Sequence, residues 1–256
     1  FIGNRLGIYF VQRAIAATLD YGFTVEQADG MLGRPIGLPK TGVFGLMDLV
    51  GIDLVPQVVK SMVDNLPPSD PLHKIAGRGE EIINKMIEEG YTGRKGKGGF
   101  YRLNTEGGQR IKEVRNLVDG SYETAKRSVG FQSEKIGKQG LLRLMSCPDE
   151  GANFVKEILL DTFVYACELI PSVSDDISDI DGAMKVGYNW KNGPFEMMDA
   201  IGINWIISEL KKSKQQIPSF MEIAQTNGSF YSESAGEITI IDSIGEIIPV
   251  LKGAQI

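Results

Sequence analysis

"ADGMLGRPIGLPKTGVFGLMDLVGID" spans residues 28–53, and "IDGAMKVGYNWKNGPFEMMDAIGIN" at 180–204 repeats it. Asp29-Gly30 pairs with Asp181-Gly182, Gly42 with Gly193, Phe44 with Phe195, Met47-Asp48 with Met198-Asp199, and Gly51-Ile52 with Gly202-Ile203. The first stretch carries one extra residue between its Asp-Gly and its next matched glycine. Identities this dense in one register point to two copies of one unit. A long apolar-striped segment precedes each copy. Leu6, Tyr9, Phe10, Ile15 and Leu19 recur at helical spacing before the first, and Val155, Ile158, Leu159, Phe163, Ala166 and Leu169 before the second. Core packing accounts for both stripes.

Working outward, "TVEQ" at 24–27 reads as a capping box that starts a short helix. Further helices are expected over 53–65 and 204–213, and "EEIINKMIEEG" gives another that stops at Gly90. Strand signals are confined to "GGFYRLN" and "EITIIDSIGEIIPVL". The expected fold is therefore mainly α, as two tandem related helical bundles, with minor β at 98–103 and 237–251. Its divisions fall at 1–103 for the first bundle, 104–145 for a polar connector, 146–235 for the second, degenerate copy, and 236–256 for a tail leading to a further domain. The connector reads either as one or two exposed helices or as a partly flexible link.

Composition narrows the function classes. With 256 residues, 42% hydrophobic and 23% charged, the chain has the make-up of a globular protein. A net charge of -6 argues against a nucleic-acid-binding surface over the whole molecule. Cys147 and Cys167 are too few for a disulfide framework or a four-ligand metal site and read as reduced thiols. No apolar run is long enough for a membrane span, so a cytoplasmic or matrix-like setting is the default. The lone His73, in "SDPLHKIAG", sits in a proline turn and is expected to be structural.

Motifs that carry chemistry are few. "GLPKTGVF" from Gly37 lacks the Lys-Ser/Thr of a Walker loop, and "GRKGKGGFY" from Gly93 lacks the spacing of a dinucleotide fingerprint. The latter does put Arg94, Lys95 and Lys97 on one loop, either as contacts for the phosphates of a nucleotide-bearing substrate or as a solvated basic turn entering an edge strand. Asp175, Asp176, Asp179 and Asp181 do not follow a calcium-loop pattern and are expected to cap or precede a helix. Asp48 and Asp199 recur at equivalent places, which favours a structural duty over catalysis. At the N-terminal end, "FIGNRL" at 1–6 places Asn4 as a natural helix N-cap, with Gly22 as the stop.

Three stretches together resemble the C-terminal helical domain of the L-3-hydroxyacyl-CoA dehydrogenases. They are "FIGNRL", the pair "GVFGLMDLVGID" at 42–53 and "GPFEMMDAIGIN" at 193–204, and "DPLHKIAG" with "GYTGRKGKGGFY" between 70 and 101. The resemblance implies a 6-phosphogluconate dehydrogenase C-terminal-like bundle in tandem, as in bacterial multifunctional enzymes of fatty-acid β-oxidation. It further implies an acyl-CoA substrate, an upstream NAD-binding Rossmann domain holding the cofactor and the catalytic His and Glu, a downstream enoyl-CoA hydratase domain, and inactivity of this piece alone. Asn4 corresponds to the family's active-site asparagine, orienting substrate or base; Arg5 is expected in a structural ion pair. The first copy departs from the family pattern at Val43 and Gly45, where the second keeps Pro194 and Glu196. Ala152 stands opposite Asn4, with Asn153 one step away, so the second copy is expected to be structural; the resemblance implies either a homodimer or an intrachain pseudo-dimer in which the second copy takes the place a second subunit holds in single-domain relatives. A helical interaction scaffold, or the helical domain of another NAD-dependent hydroxyacid dehydrogenase, stays open beside this reading.

Overall fold

The structure is a computed structural model describing residues 2–126, 130–234 and 236–250. Phe1 of "FIGNRL", residue 251 of the expected strand region and the rest of the tail to 256 lie outside the described residues. The element order runs α1 (Ile2–Tyr21), α2 (Val25–Met31), α3 (Phe44–Val50), α4 (Leu54–Asn65), α5 (Glu80–Glu88), β1 (Tyr101–Asn104), β2 (Ile111–Arg115) and β3 (Tyr122–Thr124). Two short helices follow, α6 (Gln132–Ile136) and α7 (Leu141–Met145). The second half then runs α8 (Glu150–Glu168), α9 (Ile177–Tyr188), α10 (Pro194–Ile201), α11 (Ile203–Lys212), α12 (Ser219–Asn227), β4 (Tyr231–Ser234), β5 (Glu237–Ile241) and β6 (Ile247–Pro249). Five helices and a three-stranded antiparallel sheet thus occur twice in the same order.

Local signals explain most boundaries. Thr24 and Gln27 form the reciprocal capping box that starts α2. Asp149 and Asp176 cap α8 and α9 by accepting from Ala152 N and Ser178 N. Two expectations need correcting. Helix α1 already begins at Ile2, so Asn4 lies inside its first turn rather than at the cap. The connector over 104–145 contributes two strands, because β2 pairs with β1 and β3 with β2, closing a sheet onto the first bundle. Residues 236–250 likewise complete a sheet with β4, so this part of the tail packs into the second half.

The core is continuous across both halves, and α1 is its axis. From Leu6 to Thr18 only Ile8 is not buried, and α1 packs against α8 and α9 of the other half. A helix buried on all sides must pair its polar groups. Arg13 accordingly meets Asp161, 2.5 Å from Nε, and Glu157, both on α8. Tyr9 stacks on Tyr165 with ring centroids 4.0 Å apart. Gly7 lets the ring of Tyr188, at the end of α9, sit against the α1 backbone, where a Cβ would overlap it. Gly7→Ala is therefore expected to cost about 2–3 kcal/mol of stability, whereas Gly3→Ala, whose Cβ would meet Ala183 at 3.6 Å, is expected to be neutral or mildly stabilising. Urea unfolding of the two variants checks this, and equal effects would contradict the packing account.

Candidate functional site

Two carboxylates organise each half: the buried Asp29 and Asp48 in the first, and the buried Asp181 with the half-buried Asp199 in the second. Asp29 on α2 accepts from Phe44 N (2.8 Å) and Gly45 N (3.0 Å) at the start of α3, and from the Tyr101 hydroxyl. Asp181 on α9 does the same for Phe195 N (2.9 Å), Glu196 N (3.0 Å) and the Tyr231 hydroxyl (3.0 Å). Each supplies, from a neighbouring helix, the cap that its client helix lacks. Asp48 then accepts from Phe100 N and Tyr101 N, both at 2.8 Å, and Asp199 from Phe230 N and Tyr231 N, also at 2.8 Å. The recurring Asp48 and Asp199 are structural, as their repetition suggested, but they tie a helix to the entry of a strand. Asp181 lies mid-helix in α9 rather than at its start, and the capping duty there belongs to Asp176.

Burial pushes the Asp29 and Asp181 carboxyls up to about 7 and Asp48 up to about 6, against the hydrogen bonds that pull them down. Asp199 is raised for the same reason. The native state therefore holds protons that the unfolded chain has released above pH about 4. Stability is expected to fall as pH rises through the window from about 4 to about 7. Urea midpoints at pH 5 and pH 8 test the sign, with Asp181→Asn reducing the difference; a higher midpoint at pH 8 would overturn it.

The sequence-predicted site residues fall in two separate places. Asn4 is exposed on the first turn of α1, and its side chain has no hydrogen-bond partner among the described residues. Its neighbours hold it firmly. Arg5 reaches Asp70 at 2.5 Å and the Tyr165 hydroxyl at 2.7 Å, and Leu6 is fully buried. The Arg5 pair is thus structural, as expected. Ala152, the residue that the sequence comparison of the two long helices sets against Asn4, is fully buried. His73 hydrogen-bonds through Nε2 to the Pro67 carbonyl at 3.0 Å, and Cys147 and Cys167 are buried thiols.

Arg94 and Lys97 line a cleft of about 620 Å3 beside Asp48 and Tyr101, together with Lys40, Lys112 and Lys126. Lys95, on the same loop, does not line it, and neither does Asn4. Sequence reasoning missed Lys40, Lys112 and Lys126, because they are far apart in the chain and Lys112 belongs to a strand read as connector. The glycine-rich loop 93–98 closes on itself through a Gly93–Gly98 bridge and leads into β1, not into a helix. It therefore lacks the strand-to-helix turn in which a dinucleotide fingerprint holds its pyrophosphate. Among the described residues no cluster of His, Cys, Asp and Glu fits a metal ion, and no helix is long and apolar enough to cross a membrane.

A family model described as the 3-hydroxyacyl-CoA dehydrogenase C-terminal domain matches residues 1–103 and again 154–226. The chain belongs to this family. Within the 3-hydroxyacyl-CoA dehydrogenase C-terminal family, the two matched segments take in both repeats and all of α1 that is described. A Rickettsia prowazekii protein named "Putative fatty acid oxidation complex trifunctional enzyme" is 36% identical over 224 residues, 86% of this chain and 30% of that protein. Its Rickettsia felis namesake is 40% identical over 202 residues, 77% of this chain and 26% of that protein. A Bacillus subtilis protein named "Probable 3-hydroxyacyl-CoA dehydrogenase" is 30% identical over 249 residues, 94% of this chain and 31% of that protein. The chain therefore spans about a third or less of the length of these relatives.

Proposed function

We propose that this chain is the substrate-side and subunit-pairing helical region of an NAD-dependent 3-hydroxyacyl-CoA dehydrogenase of fatty-acid β-oxidation, oxidising 3-hydroxyacyl-CoA to 3-ketoacyl-CoA. The observation that carries this reading is Asn4, an unpartnered amide presented by a helix whose next two residues, Arg5 and Leu6, are held by an ion pair and by full burial. Such an amide donates through Nδ2 to the substrate's 3-oxygen without reorganising, which is the requirement for stabilising charge that develops there. The proton acceptor and the NAD site belong to an upstream domain, and NAD bound there takes the hydride. The chain without that domain is inactive. Relatives named as trifunctional enzymes support a hydratase domain elsewhere in the parent protein. The two buried thiols suit a reducing, cytoplasmic compartment.

The second half takes the structural part. The fully buried Ala152, which sequence comparison sets against Asn4, and the packing of α8 on α1 support a second half that takes the part of a second subunit in an intrachain pseudo-dimer. Light scattering that finds an obligate dimer through the first half counts against this. The enzymatic reading is tested by reconstitution. The upstream segment is expressed separately, mixed with this chain, and NADH oxidation by acetoacetyl-CoA is followed against each piece alone. Turnover only in the mixture supports the proposal. A folded, associated mixture that stays silent would favour a non-catalytic helical scaffold.

A further inference from the structure

The Asn4 side chain has no bond of its own among the described residues, so the first turn of α1 alone decides where its amide points. That turn is the least self-supporting part of the helix, because its backbone N–H groups have no intrahelical acceptors. Its order comes from contacts that anchor it from outside. Leu6, fully buried, and Ile2, partly buried, pack into the core. Gly3 faces Ala183 on α9, Gly7 faces the Tyr188 ring, and Tyr9 stacks on Tyr165 of α8. The last three contacts are all made with the second half.

The polar anchor is more specific. Arg5 Nε donates to the Tyr165 hydroxyl at 2.7 Å, and Nη2 of the same guanidinium donates to Asp70 Oδ2. The Tyr165 hydroxyl lies 3.2 Å from both Asp70 oxygens and donates to that carboxylate. Asp70 is fixed in turn, since its Oδ1 accepts from Leu72 N at 2.9 Å in the turn between α4 and α5. One hydroxyl of the second half thus accepts from α1 and donates to a loop of the first half. Tyr165 is 1% exposed and Asp70 6%, so the bridge is shielded from water. A planar guanidinium gripped by two fixed partners is held against rotation. Arg5 directly follows Asn4, so the same grip holds the backbone that carries the amide. Among the described residues, no other polar side chain of the second half bonds to this turn.

We infer that Tyr165 is a positioning residue for the dehydrogenase reaction: its hydroxyl, acting through Arg5, holds Asn4 in place, so the second half completes the active site of the first. The inference rests on the reading of Asn4 proposed above, and gives the second half a part in turnover beyond stability. A double-mutant cycle of Tyr165→Phe and Asn4→Ala tests it in the dehydrogenase assembled with its NAD-binding domain, with NADH oxidation by acetoacetyl-CoA as the readout. Tyr165→Phe keeps the ring that stacks on Tyr9 and removes only the bridging hydroxyl. Its kcat is expected to fall about tenfold, a fraction of the roughly hundredfold cost of a full 1 Å misplacement, with KM changed less than about twofold. In the Asn4→Ala background the same substitution is expected to change kcat less than about twofold, because no amide is left to misplace. Arg5→Lys keeps the charge for Asp70 but loses the donor to Tyr165, and is expected to behave like Tyr165→Phe. Thr162→Val, which deletes a hydroxyl bonded within α8, is expected to leave kcat unchanged. Equal losses in both backgrounds, or normal turnover in Tyr165→Phe while Asn4→Ala is slow, would overturn the positioning role and leave the role of Asn4 standing. Unchanged turnover in Asn4→Ala would overturn both. Melting temperatures confirm that each variant is folded under assay conditions.

Discussion

Asp181→Ala is expected to unfold the second half of the chain at room temperature or bring it to the edge of doing so. The substitution strands Phe195 N, Glu196 N and the Tyr231 hydroxyl, all of which now donate to this one carboxyl. Asp181 is 1% exposed, so water cannot take its place without opening the packing between α9 and α10. Each such donor left unpaired costs about 1–3 kcal/mol, so the three together cost about 3–9 kcal/mol, with Glu196 N and the Tyr231 hydroxyl, only part-buried, toward the low end; this is comparable to the whole stability of a small domain. Asp181→Asn keeps one oxygen acceptor and the shape, and is expected to lose about half as much; Tyr231→Phe removes one donor and is expected to lose about 1 kcal/mol. Urea unfolding gives the order, and a mild Asp181→Ala would mean that the clamp is not what holds α10. Gly193 is part of the same device, since a Cβ there would run into Asp181.

Asn4→Ala separates function from fold in the opposite way. In the dehydrogenase assembled with its NAD-binding domain, kcat is expected to fall about 10²–10³-fold, the usual effect of deleting one preorganised donor at a developing negative charge. Stability is expected to change little or to rise slightly, because the side chain is exposed and unbonded and alanine is the better helix former. Paired measurement of kcat and melting temperature decides the matter. Unchanged turnover would remove the residue from the active site, and a large drop in melting temperature would show it to be structural.

Much of this architecture is legible in the residues, for identifiable reasons. The repeat Asp-Gly, Gly-x-Phe and Met-Asp marks the helix-to-helix and helix-to-strand ties, and the capping box at Thr24 marks α2. Strands β2 and β3 escape because little of them is buried: Val114 and Arg115 are, while Ile111 is exposed and Glu113 is spent on Arg102 and Asn104. Apolar alternation, the usual strand signal, has nothing to report there. Asn4 reads as a cap from composition alone, but the helix starts two residues earlier, which turns the amide outward as a free donor. Only the Arg94 and Lys97 edge of the basic cleft is legible, because Lys40, Lys112 and Lys126 come from a loop before α3, from β2 and from the segment after β3.

The central position of α1 has a consequence for how the protein is made. Arg13 finds its partners Glu157 and Asp161 some 144 and 148 residues later in the chain, and Gly7 waits for Tyr188. At synthesis rates of about 5–20 residues per second, this apolar helix emerges roughly ten to thirty seconds before the α8 and α9 surfaces that cover it. Helix α1 is thus made well before the surfaces that bury it. The nascent first half carries an uncovered hydrophobic rod through most of its synthesis, and chaperone demand during translation follows from the same contact that fuses the two halves into one core.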